Sequence, residues 1–342
     1  MLRSAVMKAI TLEGSFGLEN LRLSERPQPE PQPGKVVLRM RAASLNYRDL
    51  RMVQGSYNAR QPLPLVPGSD GVGEVVAIGP EVTRVKVGER VCPIYAQAWI
   101  AGEPTPERLR STLGGPRDGT LSEYMLLDAE AVVSVPPELS DLEAACLPCA
   151  GVTAWNALVT LGQLKPGATV LTQGTGGVSI FALQFAQKLG ARVIATSSSD
   201  EKLERLRALG ASDVLNYKTD LDWGKSARAL SGGRGVDHVV DVGGGTTLAQ
   251  SVRAVRHGGR ISIIGILAGT ATDLNLLPIL MQGIRLQGVI VGHRESFEAM
   301  NRALALGGSR PVVDRVFPLA DTRAALEYLA SGRHFGKVCV QI

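Results

Sequence analysis

Aromatic residues are scarce, at 4% of the 342 positions, and no basic run is interleaved with them. The stacking platform that single strands require is therefore missing, and no nucleic acid partner is expected. Cysteine is scarcer still: Cys92, Cys146, Cys149 and Cys339 are too few and too scattered for a disulfide framework. Cys146 and Cys149 make one C-x-x-C pair with no second pair, which reads as buried, inert thiols before a metal or redox site. No uninterrupted apolar run approaches the ~18–20 residues of a membrane span, and Met1 to Met7 carries no apolar core followed by a cleavage site. The expectation is a cytoplasmic protein with no membrane partner. Neither sign of charge dominates, with 37 basic residues against 32 acidic ones. That slight excess suits small anionic molecules.

The length exceeds what one hydrophobic core usually supports, so two domains are expected. The most informative stretch is Val170-Leu171-Thr172-Gln173-Gly174-Thr175-Gly176-Gly177-Val178-Ser179. A short apolar strand enters a tight turn at Gly174, Gly176 leaves room for a pyrophosphate, and the helix that follows directs free N–H groups at the anion. Thr175, Gly177 and Val178 complete that turn. Val178, Phe181 or Ala182, Phe185 and Leu189 form the helix's apolar stripe, and Gly190 ends it. Ser179 stands where the dinucleotide fingerprint has its third glycine, a departure from the pattern.

The first part of the chain reads as mostly β, with strands at 7–11, 21–24, 36–42, 71–79, 120–127 and 132–135. A short helix is expected over Asn46 to Met52, and Pro27 to Gly34 is a stiff approach to a strand. Residues 95–119 form a long segment rich in Gly, Pro and charge, with a short helix near 106–110. Helices are expected at 141–147 and 152–161. From Val170 onward, strands at 192–197, 213–215, 236–241, 259–265 and 285–291 alternate with helices. This alternation implies a parallel, doubly wound sheet. A helix, a strand, a helix and a last strand close the chain, and the two strands return to the first domain.

In a dinucleotide unit an acid about 20 residues after the glycines usually accepts from the ribose 2′-OH. Here the strand ends Ala195-Thr196-Ser197-Ser198-Ser199, so Ser197 stands in place of the acid. Lys202 follows one turn later, and Asn216-Tyr217-Lys218 closes the next strand. A 2′-phosphate would meet donors and a cation, which favours NADPH over NADH. Asp200 and Glu201 speak against it, although both suit the first turn of a helix.

Met7-Lys8-Ala9, Asn46-Tyr47-Arg48-Asp49, Val66 to Val75, Gly88-Glu89-Arg90-Val91, Ala150 to Trp155, the glycine stretch and Phe335-Gly336-Lys337-Val338 together carry a resemblance. The chain resembles the medium-chain dehydrogenase/reductase superfamily, and within it the zinc-independent quinone oxidoreductase-like branch. The resemblance implies an α/β fold in which a doubly wound parallel Rossmann sheet, 139–292, is inserted into a β-rich GroES-like catalytic domain, 1–138 and 293–342. It implies a homodimer joined through an edge strand such as 285–291.

Zinc-dependent relatives hold their catalytic metal with a cysteine, a histidine and a third cysteine or acid. By the same resemblance those positions are Asn46, Ser69 and Cys149 here, and 95–119 lacks the four cysteines of a structural zinc lobe. One thiolate does not hold zinc, so no metal is expected. Without a Lewis acid, hydride transfer to a quinone or an α,β-unsaturated carbonyl is easier than alcohol oxidation, because the charge spreads onto oxygen. Two other readings stay open: a metal-free NADP-dependent alcohol dehydrogenase or aldehyde reductase, and a cofactor-binding protein with little catalysis.

Asn46 is expected to face the nicotinamide and bond its ribose or the substrate oxygen. Tyr57 matches a tyrosine that related enoyl reductases use to position substrate or supply a proton; packing is the alternative. The family pattern further places Thr153, Gly243, Gly265, Ile266, Val289, Val291 and Phe335 at the cofactor. Arg333 and Lys337 are either phosphate ligands or solvated surface cations. His238, inside an apolar strand, reads as core. Trp99 and Ile100 in the long segment either overhang the cleft or form a surface or dimer element.

Overall fold

The computed structural model describes residues 5–270, 273–307 and 309–342; the expectation drawn from Met1 to Ser4 lies outside them. The chain forms two compact units, residues 1–152 with 292–342, and residues 153–291. The strands in order are β1 (Val6–Leu12), β2 (Leu21–Pro27), β3 (Lys35–Leu45), β4 (Asp70–Ile78), β5 (Arg90–Pro93), β6 (Tyr124–Asp128), β7 (Val132–Ser134), β8 (Thr169–Gln173), β9 (Arg192–Ser197), β10 (Asp213–Asn216), β11 (Val236–Asp241), β12 (Val255–Ile263), β13 (Arg285–Gly288), β14 (Val313–Pro318) and β15 (Lys337–Gln341).

In the first unit β1 and β2 pair as an antiparallel ribbon, and β14-β15-β3-β4-β5-β7 form a second sheet with β6 on β3. The alternation in β3 has the expected consequence: Val36, Leu38, Met40 and Ala42 are buried, while Arg39 and Arg41 on the other face both pair with Glu74. The two late strands do return here. β15 lies antiparallel to β3, with Val338 opposite Leu45 and Cys339 opposite Ser44, and this register carries Lys337 to the end of β3.

Residues 139–152, expected in the inserted domain, side with the first unit. Their hydrogen bonds explain the shift: Ser44 Oγ donates to the Ala145 carbonyl (2.9 Å), and Arg90 Nη1 reaches the Leu139 carbonyl and Asp141 (both 2.9 Å). Helical periodicity was legible there, but not which sheet the helix covers. The long 95–119 segment contains the helix Pro106–Leu109. Trp99 is buried with its Nε1 on the Gly102 carbonyl at 2.8 Å. The amides of Arg294 and Glu295 bond the carbonyls of Trp99 and Ile100 at 3.1 and 3.2 Å, so this part of the segment is fastened within its own unit.

The second unit is an all-parallel sheet in the order β10-β9-β8-β11-β12-β13. Numbered within the unit, that order is the 3-2-1-4-5-6 of a doubly wound dinucleotide fold, which reverses direction between β8 and β11. Leu171, Ile194, Val239 and Ile261 from the strands pack with Trp223, Ala227, Leu248 and Val252 from covering helices. The helix Gly177–Lys188 buries Ile180, Phe181, Leu183 and Phe185. Pairing of β13 stops at Gly288, so 289–291, expected as strand, is irregular.

Candidate functional site

In the second unit the carboxyl ends of the parallel strands carry the glycine turn. Gly174 has φ +72° and its amide bonds the Thr196 carbonyl at 2.8 Å, so the chain leaves β8 by a left-handed step that a side chain would strain. A Cβ on Gly174 or Gly176 meets nothing within 4 Å. The turn thus keeps its face clear in front of the 12-residue helix beginning at Gly177, an arrangement that fits a pyrophosphate. Ser179, the departure from the fingerprint, is buried and donates its hydroxyl to the Gln173 carbonyl at 2.6 Å. It is small enough for close packing and uses its oxygen to fasten the helix to the strand.

At the end of β9, Ser197 is buried and its Oγ accepts from the Ser199 amide at 3.4 Å. Ser199 Oγ in turn accepts from the Lys202 amide at 3.4 Å and caps the following helix. The Tyr217 amide bonds the Ser197 carbonyl at 3.1 Å, so Ser197, Lys202 and Tyr217 gather at one corner. Asp200 also stands there, its Oδ1 held by Asn216 Nδ2 at 2.7 Å. These groups match a ribose phosphate in kind, with one carboxylate opposing.

At the other strand ends the organising residues are ones the sequence reading passed over. Asp241, fully buried at the end of β11, accepts through Oδ1 from the amides of Gly243 (3.0 Å) and Gly244 (2.9 Å) and from Thr247 Oγ1 (3.0 Å), and through Oδ2 from Ser251 Oγ (2.6 Å). An acid directly before Val242-Gly243-Gly244-Gly245 was the available signal, since Asp side chains bond backbone two residues on. Gly265 and Ile266 follow β12, with Ile266 exposed, and the Val289 amide bonds the Ile263 carbonyl at 3.0 Å. Val291 has φ +39°, uncommon for a β-branched residue. Its carbonyl accepts from Asn156 Nδ2 at 2.7 Å. Thr153 is buried at the start of this unit.

The first unit holds a separate polar cluster where β3 meets the helix Tyr47–Val53. Asn46 Nδ2 donates to Ser69 Oγ at 3.2 Å, the Asn46 amide bonds Asp49 Oδ2 at 2.9 Å, and Asn46 Oδ1 accepts from Lys337 Nζ at 2.5 Å. Lys337 also donates to the Leu45 carbonyl at 2.8 Å and lies 3.7 Å from Asp70 Oδ2. Both charged side chains are buried, at 3% and 0% exposure. Burial pushes the Asp70 carboxyl up to about 6, opposed chiefly by Lys337. Burial works to lower the Lys337 ammonium, but Asp70 and the thiols of Cys146, Cys149 and Cys339 outweigh it and raise it above its ordinary value.

One residue expected at the cofactor lies otherwise. Lys337 is neither a phosphate ligand nor a solvated cation, because its ammonium is consumed inside the first unit by Leu45, Asn46 and Asp70. Phe335 is buried, at 1% exposure. Arg333 lies over the Tyr328 ring at 5.4 Å. Tyr57 is 55% exposed, with the Arg48 guanidinium 5.3 Å from its ring centre.

Asn46, Ser69 and Cys149 offer an amide and a hydroxyl already bonded to each other, plus one thiol. Catalytic zinc takes three nitrogen, sulfur or carboxylate ligands. Among the described residues no group of three or more His, Cys, Asp or Glu is placed to hold a metal ion. The ammonium on Asn46 Oδ1 further opposes a second cation there. These donors do not fit a catalytic zinc.

The sequence matches the alcohol dehydrogenase GroES-like domain over residues 32–137 and the zinc-binding dehydrogenase family over residues 177–305. It is 43% identical over 333 residues to a zinc-type alcohol dehydrogenase-like protein of Schizosaccharomyces pombe, covering 95% of this chain and 96% of that one. It is 31% identical to an acryloyl-coenzyme A reductase of Metallosphaera sedula, covering 97% and 99%. The crystal structure of an NAD-dependent alcohol dehydrogenase superposes with a TM-score of 0.90 at 34% identity, covering 98% and 100%.

Proposed function

Because this chain belongs to the medium-chain dehydrogenase/reductase superfamily and is an oxidoreductase, we propose that it transfers hydride from NADPH to a quinone or an α,β-unsaturated carbonyl without a catalytic metal. The observation that carries this reading is the Asn46–Ser69 hydrogen bond, with Lys337 on the amide oxygen. Where zinc-dependent relatives polarise a substrate oxygen with a metal, this chain has an amide, a hydroxyl and a neutralised buried ion pair. Such groups donate hydrogen bonds to an oxygen that gains charge, which suffices for an acceptor already activated by conjugation. The relative named acryloyl-coenzyme A reductase supports a conjugated carbonyl as the acceptor, unsaturated acyl thioesters included.

Bound NADPH supplies the hydride. The chain's own part is to hold and orient. Gly174 to Val178 would take the pyrophosphate on backbone amides, and Ser197, Ser199, Lys202 and Tyr217 the 2′-phosphate. Asp241 keeps the turn at 243–247 in one conformation, and Asn156 does the same for Val291. Asn46 and Ser69 would donate to the acceptor oxygen, and Tyr57 would orient the acceptor or supply the proton that completes reduction.

The test uses the full chain after chelation, with metal content measured and cofactor oxidation followed on quinones, enones, unsaturated acyl thioesters and aldehydes. Turnover with NADPH on the conjugated acceptors at negligible metal content is expected. One zinc per chain needed for activity would overturn the metal-free reading. Aldehyde reduction alone would move the enzyme to the alcohol dehydrogenase reading, and NADPH affinity without turnover to a binding protein.

A further inference from the structure

Arg48 makes more directed contacts than holding a turn requires. Its side chain is 10% exposed. Nη1 donates to the Leu113 carbonyl and Nη2 to the Gly115 carbonyl, both at 2.6 Å, with the Gly114 carbonyl and Thr112 Oγ1 at 3.4 Å. The guanidinium carbon lies 5.3 Å from the Tyr57 ring centre and 5.2 Å from that of Tyr95. Asp49 Oδ1 is 3.4 Å from Nη1, and the other oxygen of Asp49 accepts from the backbone N–H of Asn46 at 2.9 Å.

One planar cation thus joins four elements: the turn 112–115 of the long segment, two tyrosine rings, and, through Asp49, the residue that begins the helix. Burying a charge is costly unless its donors are met; here both Nη groups are met, and the buried Nε is not. A lysine would carry the charge but lacks the fork that spans two carbonyls while its central carbon stays within 5.3 Å of both ring centres. Closing the turn needs only the two carbonyl contacts. The ring contacts are surplus to that task, and the carboxylate beside Arg48 is the one that caps the helix Tyr47–Val53 through the Asn46 backbone N–H.

We propose that Arg48 is a positioning residue: it sets the Tyr57 phenol and, through the Asp49 carboxylate on the Asn46 backbone N–H, the residue whose carboxamide meets Ser69, in fixed relation to the 112–115 turn. This rests on the reading of Tyr57 and Asn46 as the groups that meet the acceptor. It gives the long segment a task, since sequence changes near 112–115 reach both groups through one guanidinium.

The experiment uses the full-length protein with 3-fluorotyrosine at position 57, in the otherwise native chain and in R48K and T112V, the latter removing a hydroxyl that accepts from Arg48 and donates to the Gly115 carbonyl, so that the turn end of the link is loosened with Arg48 intact. A displaced and broadened ¹⁹F resonance in R48K, with a smaller change in T112V, is expected whether or not cofactor is present. With NADPH and an enone, kcat should fall about 10-fold in R48K and about 3-fold in T112V, with KM for NADPH unchanged. Neither loss should add to that of Y57F or N46A, because residues acting through one another are not additive. If R48K does not fold, T112V decides by the same measurements. An unmoved resonance, or losses that add fully to both Y57F and N46A, would overturn the proposal. A moved resonance in a protein inactive towards every acceptor would sink the functional reading and leave the positioning of Tyr57 standing.

Discussion

Nζ of Lys337 lies 2.5 Å from Oδ1 of Asn46, a contact between positions 291 residues apart in the chain. The two ends of an amide look alike in shape, but an ammonium accepts no hydrogen bond, so this contact decides which end of Asn46 is oxygen. The nitrogen end is then turned to Ser69. With its oxygen on a cation the amide is polarised and its N–H groups are stronger donors.

Removing Lys337 leaves Asp70 buried without its counter-charge. K337M is expected to destabilise the protein by about 3–5 kcal/mol, because breaking one half of a buried pair strands the other. K337M/D70N, which removes both charges, should recover most of that loss. Chemical denaturation of the three proteins checks it. Equal loss in the single and double variants would mean that the pairing between the two charges is not what matters.

The Ser197 corner makes a prediction about cofactor choice. S197D places a carboxylate where the 2′-phosphate would stand and provides an acceptor for a 2′-OH. The ratio of kcat/KM for NADPH over NADH should fall by about 100-fold, the effect of a like charge at close range. Steady-state kinetics with both cofactors measures it. A ratio already favouring NADH in the native chain would contradict the phosphate reading at the outset.

What was legible in the sequence was local. Gly174, Gly176 and the apolar stripe of the helix after them specify a strand, a turn and a helix within twenty residues, and alternating strands and helices beyond them specify the parallel sheet. The place of Ser197 at the end of β9 was readable because it is set by distance from those glycines. Lys337 was not, because the register of β15 against β3 brings it to Asn46 from the far end of the chain. Arg48 grips a turn that lies 65 residues on, and Asn156 a carbonyl 135 residues on. The positive φ of Val291 leaves no mark in composition, since valine is otherwise a strand former. Residues 139–152 read as helix from their periodicity, but the sheet they cover depends on Ser44 and Arg90, which no local pattern names.

His238 makes a prediction about acid stability. It is 2% exposed in β11 with Nε2 2.8 Å from Ser262 Oγ. Burial, with Arg260 adding to it and Asp237 opposing, pushes its pKa down to about 3. Above the usual 6.5 the ring is neutral in both folded and unfolded chains and costs nothing. Below that the unfolded chain takes a proton that the folded one refuses, so stability is lost as pH falls from about 6.5 towards 3. The loss should reach about 2–3 kcal/mol by pH 4.5. H238Q should flatten that part of the stability profile, measured by denaturation between pH 7 and 4.5. An unchanged slope would show that the acid sensitivity arises elsewhere.

β13 ends its sheet, so one side of it has no neighbouring strand among the described residues. Close by in sequence, the helix Leu277–Gln282 and the residue before it expose Leu276 (68%), Leu277 (61%), Leu280 (76%) and Met281 (70%). Four large apolar side chains over six positions, a few residues before the edge strand, make a surface that water disfavours and that a two-fold partner continuing the sheet would cover. On this reading the native chain is a dimer in light scattering at micromolar concentration, and L280E/M281E is a monomer. The two substitutions lie on an exposed helix face and remove no buried contact, so the monomer should keep its fold and its affinity for NADPH. A native chain that is monomeric at every concentration would reject the dimer. A variant that stays dimeric would move the interface to another face of the protein.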